Sequence, residues 1–268
     1  MKYKLLFLDV DGTLLNDAKE ISKRTLASLL KVQQMGIRVA LASGRPTYGL
    51  MPLAKTLELG NYGGFIISYN GGQIINAQNG EILFERRINP EMLPYLEKKA
   101  RKNNFAIFTY HDDTILTDSS DNEHVRAEAN LNNLKIIQEE EFSTAIDFAP
   151  GKCILVSNDE EALKDLEEHW KKRLDGTLDV FCSEPYFLEV VPCGIDKENT
   201  LGVLLSYLNI ARLEVIAIGD GVCDVNMQQV AGLAIAMGHS QDSALVCADY
   251  VTDSNEEDGV SQCVEKFL

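Results

Sequence analysis

Residues 4–10, KLLFLDV, form an almost unbroken apolar run that includes an acidic residue near its end. Such a run predicts a strand covered on both faces of a parallel sheet. From Ser22, a good N-cap, the apolar residues Leu26, Ala27, Leu29 and Leu30 keep helical spacing until Gly36 stops the helix. A second strand, IRVALA at 37–42, follows and runs into Ser43-Gly44-Arg45-Pro46. Pro46 suits a first helical position, so a helix is expected from Thr47 toward Leu57. GFIIS at 64–68 is a third strand, and Asn79-Gly80 between apolar segments predicts a hairpin turn. The β-α-β-α order is that of the first half of a doubly wound sheet.

Beyond Phe84 the texture changes. Charged helical stretches at 91–102 and 159–174 alternate with strand-like runs at 105–109, 152–157, 178–182 and 187–191, the pattern of an α+β insert. Glu139 to Glu141 reads as a solvated acidic loop. The apolar-run style returns at Val215–Ile218 and ends in Gly219-Asp220-Gly221. The predicted fold is therefore α/β: a doubly wound, mostly parallel sheet core formed by residues 1–84 and 188–268, with an inserted α+β domain at 85–187. No internal repeat or low-complexity tract interrupts it.

Composition narrows the function classes. The 268 residues are 45% hydrophobic and 25% charged, as in an ordinary globular protein. Lys and Arg number 25 against 41 Asp and Glu, a formal charge of −16 that repels nucleic acid and anionic lipid. The N-terminal apolar run reaches two aspartates by position 11, too soon for a signal segment, and no later stretch has the length of a membrane span, so a cytoplasmic protein is expected. Six dispersed cysteines with no CxxC pair read as free thiols.

Ligands of open parallel sheets bind outside the carboxyl ends of the strands, and two predicted strands deliver aspartates there. Asp9, Asp11, Asp220 and Asp224 are expected to converge. Crowded carboxylates need a cation to stay ionised, and Mg2+ fits oxygen ligands beside phosphate. A plain turn is the bland alternative. A calcium loop starting at Asp9 is disfavoured, because its sixth position is Leu14 rather than glycine and a strand precedes it. Ser43 and the backbone after it lie at a predicted helix N-terminus, where unpaired N–H groups favour an anion. Lys197, behind the plausible N-cap Asp196, would by itself read as a solvated surface charge.

Taken in order, Asp9-Val-Asp11-Gly-Thr13, Ser43 in ASGR, Lys197 in GIDKENTL and Asp220 with Asp224 in GDGVCDVNM resemble the haloacid-dehalogenase superfamily. SYNGG at 68–72, AMG at 236–238, DYVT at 249–252 and EDGV at 257–260 resemble its Cof-type phosphatase branch. The likeness spans the core, and the insert corresponds in position and size to that branch's α/β cap. The resemblance implies a HAD-like, Rossmannoid core and a Mg2+-dependent hydrolase of small phosphate esters, commonly sugar phosphates. In it Asp9 is the nucleophile, Asp11 the general acid and base, Ser43 and Lys197 hold the phosphoryl group, and Asp9, the Asp11 carbonyl, Asp220 and Asp224 hold the metal. Gly44, Arg45 and Asn70 are implied phosphate or substrate contacts. Asp11 is expected on the same side of an extended backbone as Asp9.

Three positions depart from the pattern: Cys223 stands where Asn is usual, Glu198 where Gly is usual, and His239 where Asn is usual. A thiol is a weak hydrogen-bond partner, so looser support around the metal is expected. Two rivals follow: a phosphomutase acting on sugar phosphates, and a weakly catalytic phospho-ligand-binding protein. The expected partner is a small phosphorylated metabolite, and the expected state a monomer or small homo-oligomer.

Overall fold

The computed structural model describes residues 2–268 and contains two sheets. The first is built on β1 (Leu5–Asp9), every residue of which is buried. From it the chain passes through α1 (Lys23–Gln34), β2 (Arg38–Ala42), α2 (Thr47–Thr56) and β3 (Phe65–Ser68), then through β4 (Gln73–Asn76) and β5 (Ile82–Glu85). Ser22 caps α1 through its side chain, and Gly80 turns between β4 and β5 with φ of 73°.

The second sheet comprises β6 (Ala106–His111), β7 (Thr114–Thr117), β8 (Lys135–Gln138), β9 (Cys153–Val156), β10 (Leu178–Glu184) and β11 (Phe187–Pro192). Its helices are α3 (Leu93–Asn103), α4 (Glu123–Asn132), α5 (Phe142–Ala145) and α6 (Glu160–Arg173). The chain then returns to the first sheet through α7 (Lys197–Leu208), β12 (Val215–Gly219), α8 (Val225–Val230), β13 (Leu233–Ala236), α9 (Asp242–Cys247), β14 (Tyr250–Val251) and α10 (Gly259–Phe267).

Strand order in the first sheet is β14-β13-β12-β1-β2-β3-β4-β5, with parallel pairing from β14 to β3 and antiparallel pairing of β3 with β4. Side chains alternate across it. Leu6, Leu8, Val39, Leu41 and Ile218 pack on one face with Leu29 of α1, Leu50 of α2 and Val264 of α10. Leu5, Phe7, Ala40, Ile67 and Ala217 pack on the other with Leu201 and Leu205 of α7 and Met227 of α8. Helices on both faces explain why these strands are apolar throughout. The winding reverses at β1, which lies between β2 and β12, and open α/β sheets bind ligands at the carboxyl ends of the strands beside such a reversal.

The second sheet has the order β10-β11-β9-β6-β7-β8, antiparallel except for the parallel pair β7 and β8. Ile107, Cys153, Leu155, Leu188 and Val190 form one apolar face with Leu96 of α3, Phe142 of α5 and Leu163 and Trp170 of α6. Glu97 ties α3 to α5. It accepts from the backbone N–H groups of Phe142 and Ser143, at 3.1 Å each, and from Arg101 at 2.7 Å.

By contacts the chain forms two units, one comprising the residues up to Gly44, Leu50–Phe84 and Asp196–Leu268, the other Arg45–Gly49 and Glu85–Ile195. The expected end of the insert at residue 187 falls at the start of β11, which pairs with β9 and β10. Residues 188–195, predicted as core, thus belong to the second unit. An apolar run such as FLEVVP reveals a buried strand without revealing which sheet it joins. The short elements β7, β8, α4 and α5 go beyond the strands and helices read from the sequence. All six cysteines are free thiols, and among the described residues no helix is long and apolar enough to cross a membrane.

The carboxyl of Glu97 is buried, which opposes its charge, but hydrogen bonds from Ser143 and Phe142 and the Arg101 charge hold its pKa below the ordinary value. Its stabilisation is therefore complete above the ordinary carboxylate pKa and is lost as pH falls through the lower folded value. Glu97→Gln should cost about 1–3 kcal/mol at neutral pH. Urea unfolding of both proteins should show that difference shrinking as the solution is acidified, and a difference independent of pH would contradict it.

Candidate active site

β1 and β12 run side by side in register, with Leu8 opposite Ile218. Asp9, the last residue of β1, and Asp220, directly after β12, therefore leave the same edge of the sheet as neighbours. Gly221 to Asp224 is a tight turn closed by the Asp224 N–H on the Gly221 carbonyl at 3.1 Å. It folds the Asp224 carboxylate back so that Oδ2 accepts from the N–H groups of Asp220 and Gly221, at 3.1 and 3.0 Å. This close return requires Gly219, where a Cβ would lie 2.5 Å from Asp224 Oδ2. Gly12, with φ of 80°, is required for the same reason: a Cβ there would meet Asp220 Oδ2 at 2.6 Å. Thr13, which the sequence reading leaves without a role, donates to Asp220 Oδ1 at 2.9 Å.

Asp9, Asp220 and Asp224 form a cluster in which one ligand atom from each lies within 4.8 Å of the others. Lys197, the first residue of α7, is buried among them. Its Nζ donates to Asp9 Oδ1 and to Asp224 Oδ1, both at 2.6 Å. Asp196 caps α7 by accepting from the Asn199 N–H, and Thr200 Oγ1 donates to the Gly71 carbonyl at 2.8 Å. That bond ties the lysine's helix to the loop after β3. In the same loop Asn70, at φ of 58°, donates its N–H to the Ser43 carbonyl at 3.0 Å, and its amide side chain lies against Gly44. Ser43 is buried after β2, its N–H bonded to the Ile67 carbonyl.

Three carboxylates face one ammonium. Burial and the charges of Asp224 and Asp220 raise the pKa of Asp9 well above the ordinary value, against the pull of Lys197. Asp220 is raised chiefly by burial, with Asp224 adding to it and Thr13 opposing. Desolvation works against the charge of Lys197, yet Asp224 and Asp9 outweigh it and raise its pKa. Such a site holds excess negative charge, which a small divalent cation with oxygen ligands would relieve. The donor set fits Mg2+.

Of the four aspartates expected to converge, Asp9, Asp220 and Asp224 form the cluster. β1 ends at Asp9, Asp11 beyond it forms an isolated β-bridge with Leu15, and its Oδ1 accepts from Lys19 at 3.1 Å. The Asp11 carboxylate is outside the three-acid cluster. Arg45 is buried and groups with the second unit. His239 is exposed, with Nε2 3.9 Å from Asp220 Oδ2. Glu198 occupies the first turn of α7, where a negative charge suits the helix end.

Cys223 has an exposed surface, while its Sγ turns inward to 4.0 Å from Asp224 Oδ1. Desolvation and the acids Asp224, Asp9 and Asp220 push the thiol up to about 12, overriding Lys197. The thiol therefore stays protonated and is no nucleophile at neutral pH. The looser support expected from this departure does not extend to Asp224, which two backbone N–H groups and Lys197 hold independently of residue 223.

A raised carboxyl pKa favours folding below the unfolded value and loses that contribution as pH rises through the folded one. Lys197→Met removes the ammonium that offsets this loss. In chelator, the variant should be less stable than the unsubstituted chain by about 3–5 kcal/mol at pH 8 and by less at pH 5.5. Denaturant titration at the two pH values checks it; a deficit that grows on acidification would contradict the charge account.

Residues 6–264 match the haloacid dehalogenase-like hydrolase family. A haloacid dehalogenase-like hydrolase of Bacteroides thetaiotaomicron of known structure is 46% identical, with a TM-score of 0.96 over 100% of both chains. A 5-amino-6-(5-phospho-D-ribitylamino)uracil phosphatase of Bacillus subtilis is 28% identical over 99% of this chain and 96% of its own. Another Bacillus subtilis phosphatase, YwpJ, is 26% identical over 99% of this chain and 100% of its own. With the family matched across nearly its whole length and the acidic cluster at the reversal of its sheet, this chain belongs to the haloacid dehalogenase-like hydrolases and is one of their phosphatases.

Proposed function

We propose that the chain hydrolyses small phosphate monoesters, sugar or polyol phosphates among them, in a Mg2+-dependent reaction through a phosphorylated Asp9. The observation that carries this reading is the Asp9 carboxylate, buried at the end of β1 and fixed by Lys197 at 2.6 Å within the three-acid cluster. A carboxylate so held has one orientation from which to attack phosphorus, and the covalent route divides one difficult hydrolysis into two easier displacements. Asp9, Asp220, Asp224 and the carbonyl of Asp11 would hold the metal. Bound there, Mg2+ neutralises excess acid charge and draws charge from a phosphoryl oxygen.

In the first displacement an Asp9 oxygen bonds to phosphorus, the ester P–O bond breaks, and Asp11 protonates the departing oxygen. In the second, water bonds to phosphorus, the bond to Asp9 breaks, and Asp11 takes the proton of the water. The bond from Lys19 orients Asp11 for both steps. Lys197 counters charge on the phosphoryl oxygens, and Ser43 with Gly44, Arg45 and Asn70 receives the phosphate. The second unit serves as the cap that selects the rest of the ester, and the Bacillus relative named for a phosphorylated ribityl compound supports polyol phosphates as a class.

Phosphate release from p-nitrophenyl phosphate and a panel of sugar phosphates tests the proposal. Release should need Mg2+ and should fall by about 1,000-fold or more in Asp9→Asn. Turnover that survives chelator, or survives loss of Asp9, would overturn the mechanism.

A further inference from the structure

The EDGV segment at 257–260 has no part in the chemistry described so far, yet the turn it belongs to holds the loop that carries Asp11. That loop runs from Val10 to Ser22. Its beginning is closed on itself, with Leu15 donating its N–H to the Val10 carbonyl at 3.0 Å and pairing with Asp11 in the β-bridge. Its far end is a second tight turn. There Asn16 donates its N–H to the Glu20 carbonyl at 3.1 Å, Lys19 donates its own to the Asn16 carbonyl at 2.9 Å, and Glu20 donates to Asn16 Oδ1 at 2.9 Å. Lys19 has a left-handed backbone, with φ of 61°, and from there its Nζ reaches Asp11 Oδ1 at 3.1 Å.

Three side chains from the opposite end of the sequence hold this loop at three points. Asn255 Nδ2 donates to the Leu15 carbonyl at 2.8 Å, Glu256 Oε1 accepts from the Asp17 N–H at 2.6 Å, and Asp258 Oδ1 accepts from the Ser22 hydroxyl. The turn presenting them is itself braced. Glu257 and Gly259 donate their N–H groups to the Ser254 carbonyl at 3.1 and 3.0 Å, and Ser254 Oγ donates to Glu257 Oε2 at 3.0 Å.

Apolar packing already seats the base of the loop, because Leu14 and Leu15 are buried in one cluster with Val260 and Val264 of α10. Asp17, Lys19 and Glu256 are exposed, where water competes and a hydrogen bond adds little to stability. What Asn255 and Glu256 fix is the path of the chain between Leu15 and Lys19. An ion pair with side chains as exposed as those of Lys19 and Asp11, 49% and 35%, has little strength with which to select its own geometry. The ammonium is aimed at Asp11 only as well as the loop presents it.

We infer that Asn255 and Glu256 are positioning residues, which hold residues 15–19 so that Lys19 keeps the Asp11 carboxyl directed at the departing oxygen. This rests on the phosphatase reading above, in which Asp11 protonates that oxygen.

The leaving group discriminates this role from a merely structural one. A sugar alkoxide must gain a proton as it departs, whereas p-nitrophenolate leaves as a stable anion, so a misdirected acid penalises the sugar ester selectively. The readout is the ratio of kcat/KM for the best alkyl phosphate, sugar phosphates included, to that for p-nitrophenyl phosphate, with thermal unfolding measured alongside. In Asn255→Ala with Glu256→Ala that ratio should fall by about 10-fold, a part of what a general acid supplies. Glu256→Gln, which keeps an acceptor in place, should hold the ratio. Lys19→Met should lower it, and adding Lys19→Met to the double variant should lower it little further, because the residues act along one path. An unchanged ratio in the double variant, or losses that simply add, overturns the inference. Should the double variant fail to fold, Asn255→Ala alone carries the same ratio test. Asp11→Asn separates the two readings: if it leaves the ratio unchanged, or if the unsubstituted protein releases no phosphate from either ester, it is the phosphatase reading of Asp11 that fails, and the positioning role falls with it.

Discussion

The Lys197 ammonium is the interaction on which the rest of the site depends. Its two bonds of 2.6 Å join Asp9, from the beginning of the chain, to Asp224, from the turn after β12. Buried carboxylates repel one another and each pays a desolvation cost, so the pair stands only because a cation lies between them. Everything around the lysine fixes its place: the Asp196 cap starts α7 at this residue, and the Thr200 bond to Gly71 anchors the first turn. One positive charge against three negative ones leaves room for a metal, and the same imbalance suits a site that must receive a phosphate only when a divalent ion accompanies it.

The backbone around that charge cluster is equally constrained. Gly12 and Gly219 are where the chain lets Asp220 and Asp224 approach, and Thr13 turns Asp220 toward the cluster. Asp224 receives two backbone bonds besides Lys197, none of them from residue 223.

Much of this was legible in the sequence, because buried parallel strands are written as apolar runs and KLLFLDV and VIAIG are unmistakable ones. The aspartates just after them follow from the rule that ligands meet the carboxyl ends of such strands. Lys197 was legible only through the family resemblance, since nothing in GIDKENTL marks a lysine as buried. The place of the Asp11 carboxylate outside the three-acid cluster was not legible, because the spacing of two aspartates along a chain does not say which partner, here Lys19, each carboxylate takes. The insert was the least legible part. Its strands TILT and KIIQ are four residues long, and FLEVVP could have joined either sheet.

The place of β1 in the sheet bears on how the protein is made. It is flanked by β2, encoded some thirty residues later, and by β12, encoded about two hundred residues later, with the whole second unit in between. On the ribosome this buried strand can therefore zip along one edge early, while its other edge waits for some two hundred further residues. Such long-range closure slows folding and leaves an edge open to wrong partners. Asp9, with no Lys197 yet synthesised to neutralise it, sits at the end of that waiting edge, a solvated charge that opposes premature pairing until its counterion arrives.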